Sequence, residues 1–174
     1  PSVMHFRLDP DAVSKDAYPS RDAIFDDLAA AYQKAVKAFY DAGCRYLQFD
    51  DTAWAYLCSQ DELKKAKERG LDVDHLQETY TRCINKALEA KPADMTITTH
   101  VCRGNFRSTW ISSGGYEPVA ENLLARCNYD GYFLEYDSER AGGFEPLRFL
   151  PKGNKIVVLG VVTSKTGRLE PRAD

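Results

Sequence analysis

At 174 residues, with 23 Lys and Arg against 26 Asp and Glu and a formal charge of −3, the chain can form one domain with a sizeable core. It offers no broad basic surface for nucleic acid, and no apolar run approaches the roughly 20 residues of a membrane span. No signal-peptide pattern opens it, so the expected location is the cytoplasm. The five cysteines, Cys44, Cys58, Cys83, Cys102 and Cys127, are scattered and lack a C-x-x-C pair; they read as reduced thiols, mostly packed as small apolar residues.

Val3–Arg7 reads as a short strand, and the polar stretch Leu8–Pro19 as a loop. Ser20 caps a helix over about Arg21–Asp41, whose apolar stripe is Ile24, Leu28, Ala31, Ala35 and Phe39, and Gly43 ends it. Arg45–Asp51 is a second strand that stops in two acids. Thr52–Ser59, with Trp54 and Tyr56, is too irregular to be assigned as a helix. Asp61–Arg69 is a short charged helix closed by Gly70. Asp74, with Gln77 three residues on, reads as a capping-box start for a helix buried through Leu76, Tyr80, Cys83, Ile84, Ala87 and Leu88.

A third strand follows at about Met95–Val101, then a polar loop, Cys102–Gly115. Glu117–Arg126 is a modest helix and Gly131–Tyr136 a fourth strand. The turn-rich crossover beyond it leaves room for little more than one helical turn. Lys155–Val162 is the fifth and most apolar strand, and Thr163–Asp174 a polar tail. Strands alternating with helices favour an α/β fold with mostly parallel strands. The pattern leaves a barrel and a doubly wound sheet equally open. Polar residues collect at the strand exits of either: Asp50 and Asp51, His100 and Cys102, Glu135 and Asp137, Thr163 and Ser164. No Gly-x-Gly-x-x-Gly or Walker A loop supports a nucleotide site.

The third strand ends on two soft or borderline metal ligands. Alternate side chains of a strand share a face, so His100 and Cys102 can point at one object, and both suit zinc. Taken alone, such a pair is more often ordinary packing. Its place at a strand exit, with Glu135 at the next exit, is what points to a metal. Asp50 reads either as a turn or cap residue or as a ligand; Asp51 reads as a loop or cap residue.

Gln48–Phe49–Asp50–Asp51, Thr99–His100–Val101–Cys102–Arg103–Gly104–Asn105, Leu134–Glu135–Tyr136–Asp137–Ser138 and Val158–Leu159–Gly160–Val161–Val162 stand in the order found in cobalamin-independent methionine synthase. The chain resembles the catalytic domain of that family over most of its length. The resemblance implies a (β/α)₈ TIM barrel, present here in part as about five parallel strands of eight, since a whole barrel takes about 250 residues. It implies zinc held by His100, Cys102 and Glu135, which activates the thiol of homocysteine toward the methyl group of 5-methyltetrahydrofolate polyglutamate. Asp50 would then bind the amino group of homocysteine, with Arg103, Asn105 and Ser138 as further substrate contacts. The family's fourth ligand, a cysteine of the last strand region, has no counterpart, and Cys127 lies in the wrong place for it. Asp51–Thr52 stands where the family has Glu-Pro, which leaves two other readings open: alkyl transfer between another thiol and a corrinoid or other donor, or a non-catalytic relative. Trp54, Tyr56, Trp110 and Tyr116 could stack a pterin, though each also reads as core or loop anchor. The early first strand and the missing ligand lead to the expectation of a segment incomplete at both ends, associated with the missing barrel parts or with a second copy.

Overall fold

The structure, a computed structural model, describes residues 1–7, 9, 12–153 and 155–170. The expected loop over Leu8–Pro19 and the polar tail lie partly outside them. Four strands, β1 (Tyr46–Asp50), β2 (Thr96–Val101), β3 (Gly131–Glu135) and β4 (Ile156–Gly160), form one sheet in chain order with every pair parallel.

The first expected strand, at Val3–Arg7, is instead a helix, α1 (Ser2–Phe6). Its cause is remote in sequence. The buried Asp51 carboxylate accepts the N–H groups of Ser2 and Val3 at 3.3 and 3.1 Å and the Ser2 hydroxyl at 2.6 Å, satisfying donors that open the helix. Phe6 then stacks on Tyr56, ring centroids 5.4 Å apart.

Helix α2 (Arg21–Asp41) starts as its sequence predicts, the Ser20 hydroxyl accepting the Ala23 N–H at 3.2 Å. Thr52–Ser59 holds a helix after all: α3 (Ala53–Leu57) is buried on every side, so it has no polar face to set a period. Helix α4 (Gln60–Glu68) is charged and surface-lying. Helix α5 (Leu76–Leu88) begins later than expected, because His75 occupies the cap at φ 58°. No capping box forms with Asp74; the Gln77 amide donates to the Pro118 carbonyl at 3.0 Å. The stretch expected as a helix at Glu117–Arg126 is a 3₁₀ turn running into a π-helical turn over Glu121–Arg126. The Lys155 ammonium donates to the Leu124 carbonyl at 2.9 Å, and the Tyr132 hydroxyl to that of Cys127 at 3.0 Å, which holds this turn against the sheet. Two short 3₁₀ turns, Glu139–Ala141 and Glu145–Phe149, make the last crossover. Among the described residues no helix is long and apolar enough to cross a membrane.

Strand alternation divides the sheet into two unlike faces. On one, Phe49 meets Tyr32 of α2 at 5.1 Å, Tyr132 reaches the π turn, and Ile97, Val101 and Leu134 are buried beneath the helices. On the other lie Gln48 and Asp50 of β1, His100 of β2, Phe133 and Glu135 of β3, and three large apolar side chains left open: Tyr46, Ile156 and Val158, 52, 67 and 41% exposed. A doubly wound sheet is covered on both faces; a barrel wall carries helices on its outside only. The structure therefore decides the choice the sequence left open, in favour of a partial TIM barrel.

Candidate active site

Parallel register sets His100 beside Asp50 on one side and Phe133 on the other, with Glu135 at the exit of the next strand. All project from the bare face at the C-terminal edge of the sheet. A hydrogen bond of 2.8 Å joins His100 Nδ1 to Asp50 Oδ1. A carboxylate at Nδ1 keeps the ring proton there and leaves the Nε2 lone pair for a ligand. Cys102 Sγ accepts the Gly104 N–H at 3.3 Å. That turn requires glycine: Gly104 has φ +97°, and a Cβ there would stand 2.8 Å from the Ile111 nitrogen. Two other thiols differ in kind. Cys58 and Cys127 are buried, and burial pushes each thiol up to about 12, so they are inert.

His100, Cys102, Asn105 and Glu135 line one cleft of roughly 340 Å³. Both Glu135 carboxylate oxygens are engaged. Oε2 accepts the Arg103 backbone N–H at 3.0 Å, and Oε1 accepts Arg140 Nη2 at 2.6 Å. The same Nη2 donates to Asp137 Oδ1 at 2.7 Å, and Asp137 Oδ2 accepts the Thr163 hydroxyl at 2.7 Å. Burial opposes the Asp137 charge, but the Thr163 hydroxyl and the Arg140 guanidinium outweigh it and hold the carboxyl below its ordinary value. Among the described residues no three of His, Cys, Asp and Glu are arranged to hold an ion. The third expected donor, Glu135, is instead ion-paired with Arg140 at 2.6 Å. Even so, the donor chemistry suits zinc: a carboxylate-oriented imidazole and a half-exposed thiol share one cleft with a carboxylate.

The other expected contacts divide. Asn105 lines the cleft, whereas Ser138 is exposed and lines an adjoining hollow of roughly 680 Å³ with Trp110, Lys165 and Arg168. Arg103 enters the site through its main chain alone; its guanidinium is fully buried, 4.4 Å from the Tyr116 ring centre. Trp54, Tyr56 and Tyr116 are core residues, which leaves Trp110 as the exposed one of the four expected aromatics. His5 is buried, its Nδ1 3.0 Å from the Tyr80 hydroxyl, and burial lowers its pKa to about 4. Cys127 lies beneath the π turn, away from the strand exits. Sequence reasoning did not find the grip of Arg140 on Glu135. The Glu-x-Asp-x-x-Arg spacing from residue 135 was the available signal, since alternation sets the two acids on one face.

The profile of the cobalamin-independent synthase catalytic domain matches residues 8–170. The chain belongs to that family. Two Bacillus subtilis (strain 168) proteins, the uncharacterized YxjG and YxjH, are 47% identical over 171 residues and 49% identical over 160. These alignments cover 98% and 92% of this chain but 44% and 42% of the relatives. A Listeria monocytogenes crystal structure, provisionally named a vitamin-B12 independent methionine synthase, matches with a TM-score of 0.71 at 49% identity, covering 90% of this chain and 42% of that one. This member of the synthase family thus spans less than half the length of those relatives, and its four-stranded wall matches part of the Listeria structure.

Proposed function

We propose that the protein is a zinc-dependent methyltransferase that moves a methyl group from 5-methyltetrahydrofolate polyglutamate to the thiol of homocysteine, forming methionine in the cytoplasm. The observation that carries this reading is the single cleft shared by His100, Cys102 and Glu135, with Asp50 fixing the His100 tautomer. His100 and Cys102 would hold the ion, and Glu135 would join them. When bound, zinc supplies a means of keeping the acceptor thiol deprotonated at neutral pH. The rest falls to the chain itself. Asp50 presents a second, exposed carboxylate oxygen to the ammonium of an amino-acid thiol, and Asn105 stands in the same cleft for its polar atoms. The hollow beside Ser138 and Trp110 would take the folate. In the transfer a sulfur–carbon bond forms as the methyl–nitrogen bond breaks, and the folate nitrogen takes up a proton. The remaining length seen in the relatives would supply the strands that cover Tyr46, Ile156 and Val158.

The test is elemental analysis and methionine formation on the full-length protein. His100→Ala and Cys102→Ala should lose bound zinc and methyl transfer together. A full zinc complement in both variants would overturn the assignment.

A further inference from the structure

A second cavity, of roughly 450 Å³, opens on the helix-covered side of the molecule, between α1, the start of α2 and the turn Gly70–Asp72 that follows α4. It shares no lining residue with the cleft at the strand exits. Its wall is apolar at Val13, Ile24 and Leu71, and the polar groups left over around it are donors. His5 is 8% exposed, and its Nδ1 lies 3.0 Å from the hydroxyl of Tyr80, itself fully buried. Burial keeps that phenol protonated, and Nδ1 is the acceptor beside it. The reverse arrangement would leave the phenol proton without an acceptor in the core. The imidazole proton therefore belongs on Nε2, which has no partner among the described residues.

Two more donors stand at the same wall. Lys15 is exposed and forms no ion pair among the described residues. The Ser20 hydroxyl caps Ala23 alone, at 3.2 Å, so the first amides of the 21-residue α2 stay available there. The other charges cancel, since Arg21 Nη1 donates to Asp72 Oδ2 at 3.2 Å. The Tyr18 hydroxyl is taken by Asp27 at 3.0 Å.

We propose that this cavity is a binding site for a monoanion with an apolar body, of the class of short-chain monocarboxylates. The carboxylate takes the Nε2–H of His5 and the Lys15 ammonium, with the first turn of α2 behind it. The hydrocarbon part lies on Val13, Ile24 and Leu71. Charge selects a single carboxylate, because Arg21 and Asp72 neutralise each other and Lys15 alone is left over. A dianion would bring a second charge with no partner and leave the apolar wall against water. A neutral ligand would leave the donors unmatched, and a donor as deep as Nε2 calls for an acceptor.

Hexanoate is the probe and 1-hexanol its uncharged counterpart, each titrated at neutral pH into the full-length protein. Calorimetry should show one equivalent of hexanoate bound, with 1-hexanol weaker by at least about tenfold, the scale of one charge-assisted hydrogen bond. The ring resonances of His5 should shift on saturation with hexanoate. Lys15→Gln should weaken hexanoate binding about tenfold and leave 1-hexanol unaffected. Ile24→Glu, which sets a like charge in the wall, should abolish hexanoate binding, whereas His100→Ala should bind it as the parent does. Lys15 is exposed and Ile24 half-buried, so neither change threatens the fold. Absence of binding to the parent overturns the inference. So do equal affinities for hexanoate and 1-hexanol, an undiminished affinity in Lys15→Gln, or His5 resonances that stay in place while hexanoate binds. None of these outcomes bears on zinc or on methyl transfer.

Discussion

The two faces of the sheet are built from the same four strands and obey opposite rules. Beneath the helices, Phe49, Ile97, Val101, Tyr132 and Leu134 are buried in a continuous apolar core with α2 and α5. On the bare face the alternate positions hold Asp50, His100 and Glu135 at the exits and large, open apolar side chains below them. A difference of one position along a strand thus separates residues that hold the fold from residues that offer chemistry. The lesson is that substitutions one residue apart should part company in what they damage.

Ile97→Ala gives the largest expected effect on stability. Deleting this fully buried side chain should cost about 2–5 kcal/mol in chemical denaturation; a loss under about 1 kcal/mol would show that the helix-covered face is not the stabilising one. His5, packed 4.8 Å from Phe25 on the same side, provides a pH test. Its pKa is lowered from 6.5 to about 4, so the folded state favours the neutral ring. That contribution is complete above about 6.5 and is lost as pH falls from there through about 4. The unfolding free energy should drop by about 3 kcal/mol more in the parent than in His5→Gln between neutral pH and pH 4; parallel profiles would refute it. Ser20→Ala, which removes the cap of α2, should cost about 1 kcal/mol, read as a shift in denaturation midpoint at constant slope. At the small end, His100→Ala breaks only a half-exposed pair with Asp50. It should change the stability of the metal-free protein by less than about 1 kcal/mol while abolishing zinc binding. A large loss of stability there would erase the contrast between the faces.

Local signals carried the sequence reading a long way. A 3.6-residue stripe located α5, and the Ser20 cap located α2, although the face of α2 that is buried is Phe25, Ala29 and Val36 and not the expected stripe, whose Ala31 and Phe39 are exposed. β-branched runs located β2 and β4, and alternation placed His100 and Cys102 together before any coordinates. What escaped was fixed by distant partners. Val3–Phe6 is a helix because Asp51 caps it, and nothing between the two announces that. Helix α3 hid because total burial erases periodicity. The start of α5 shifted because His75 takes a left-handed conformation that its neighbours do not require in sequence. In the site, Arg103 has the composition of a surface residue and the environment of a core one. Arg140 acquired its meaning only once the turn after β3 folded it back on Glu135.

The strand order has a consequence for how the molecule is made. Each strand pairs with the one synthesised before it, so the wall can grow in the direction of translation, one strand-and-crossover unit at a time. At every pause the newest edge displays unpaired N–H and C=O groups beside an apolar surface, a template for wrong partners until the next unit arrives. With β4 that edge belongs to the most apolar strand of the set. Ribosome-bound intermediates from which β4 has just emerged should therefore be the ones most in need of a chaperone.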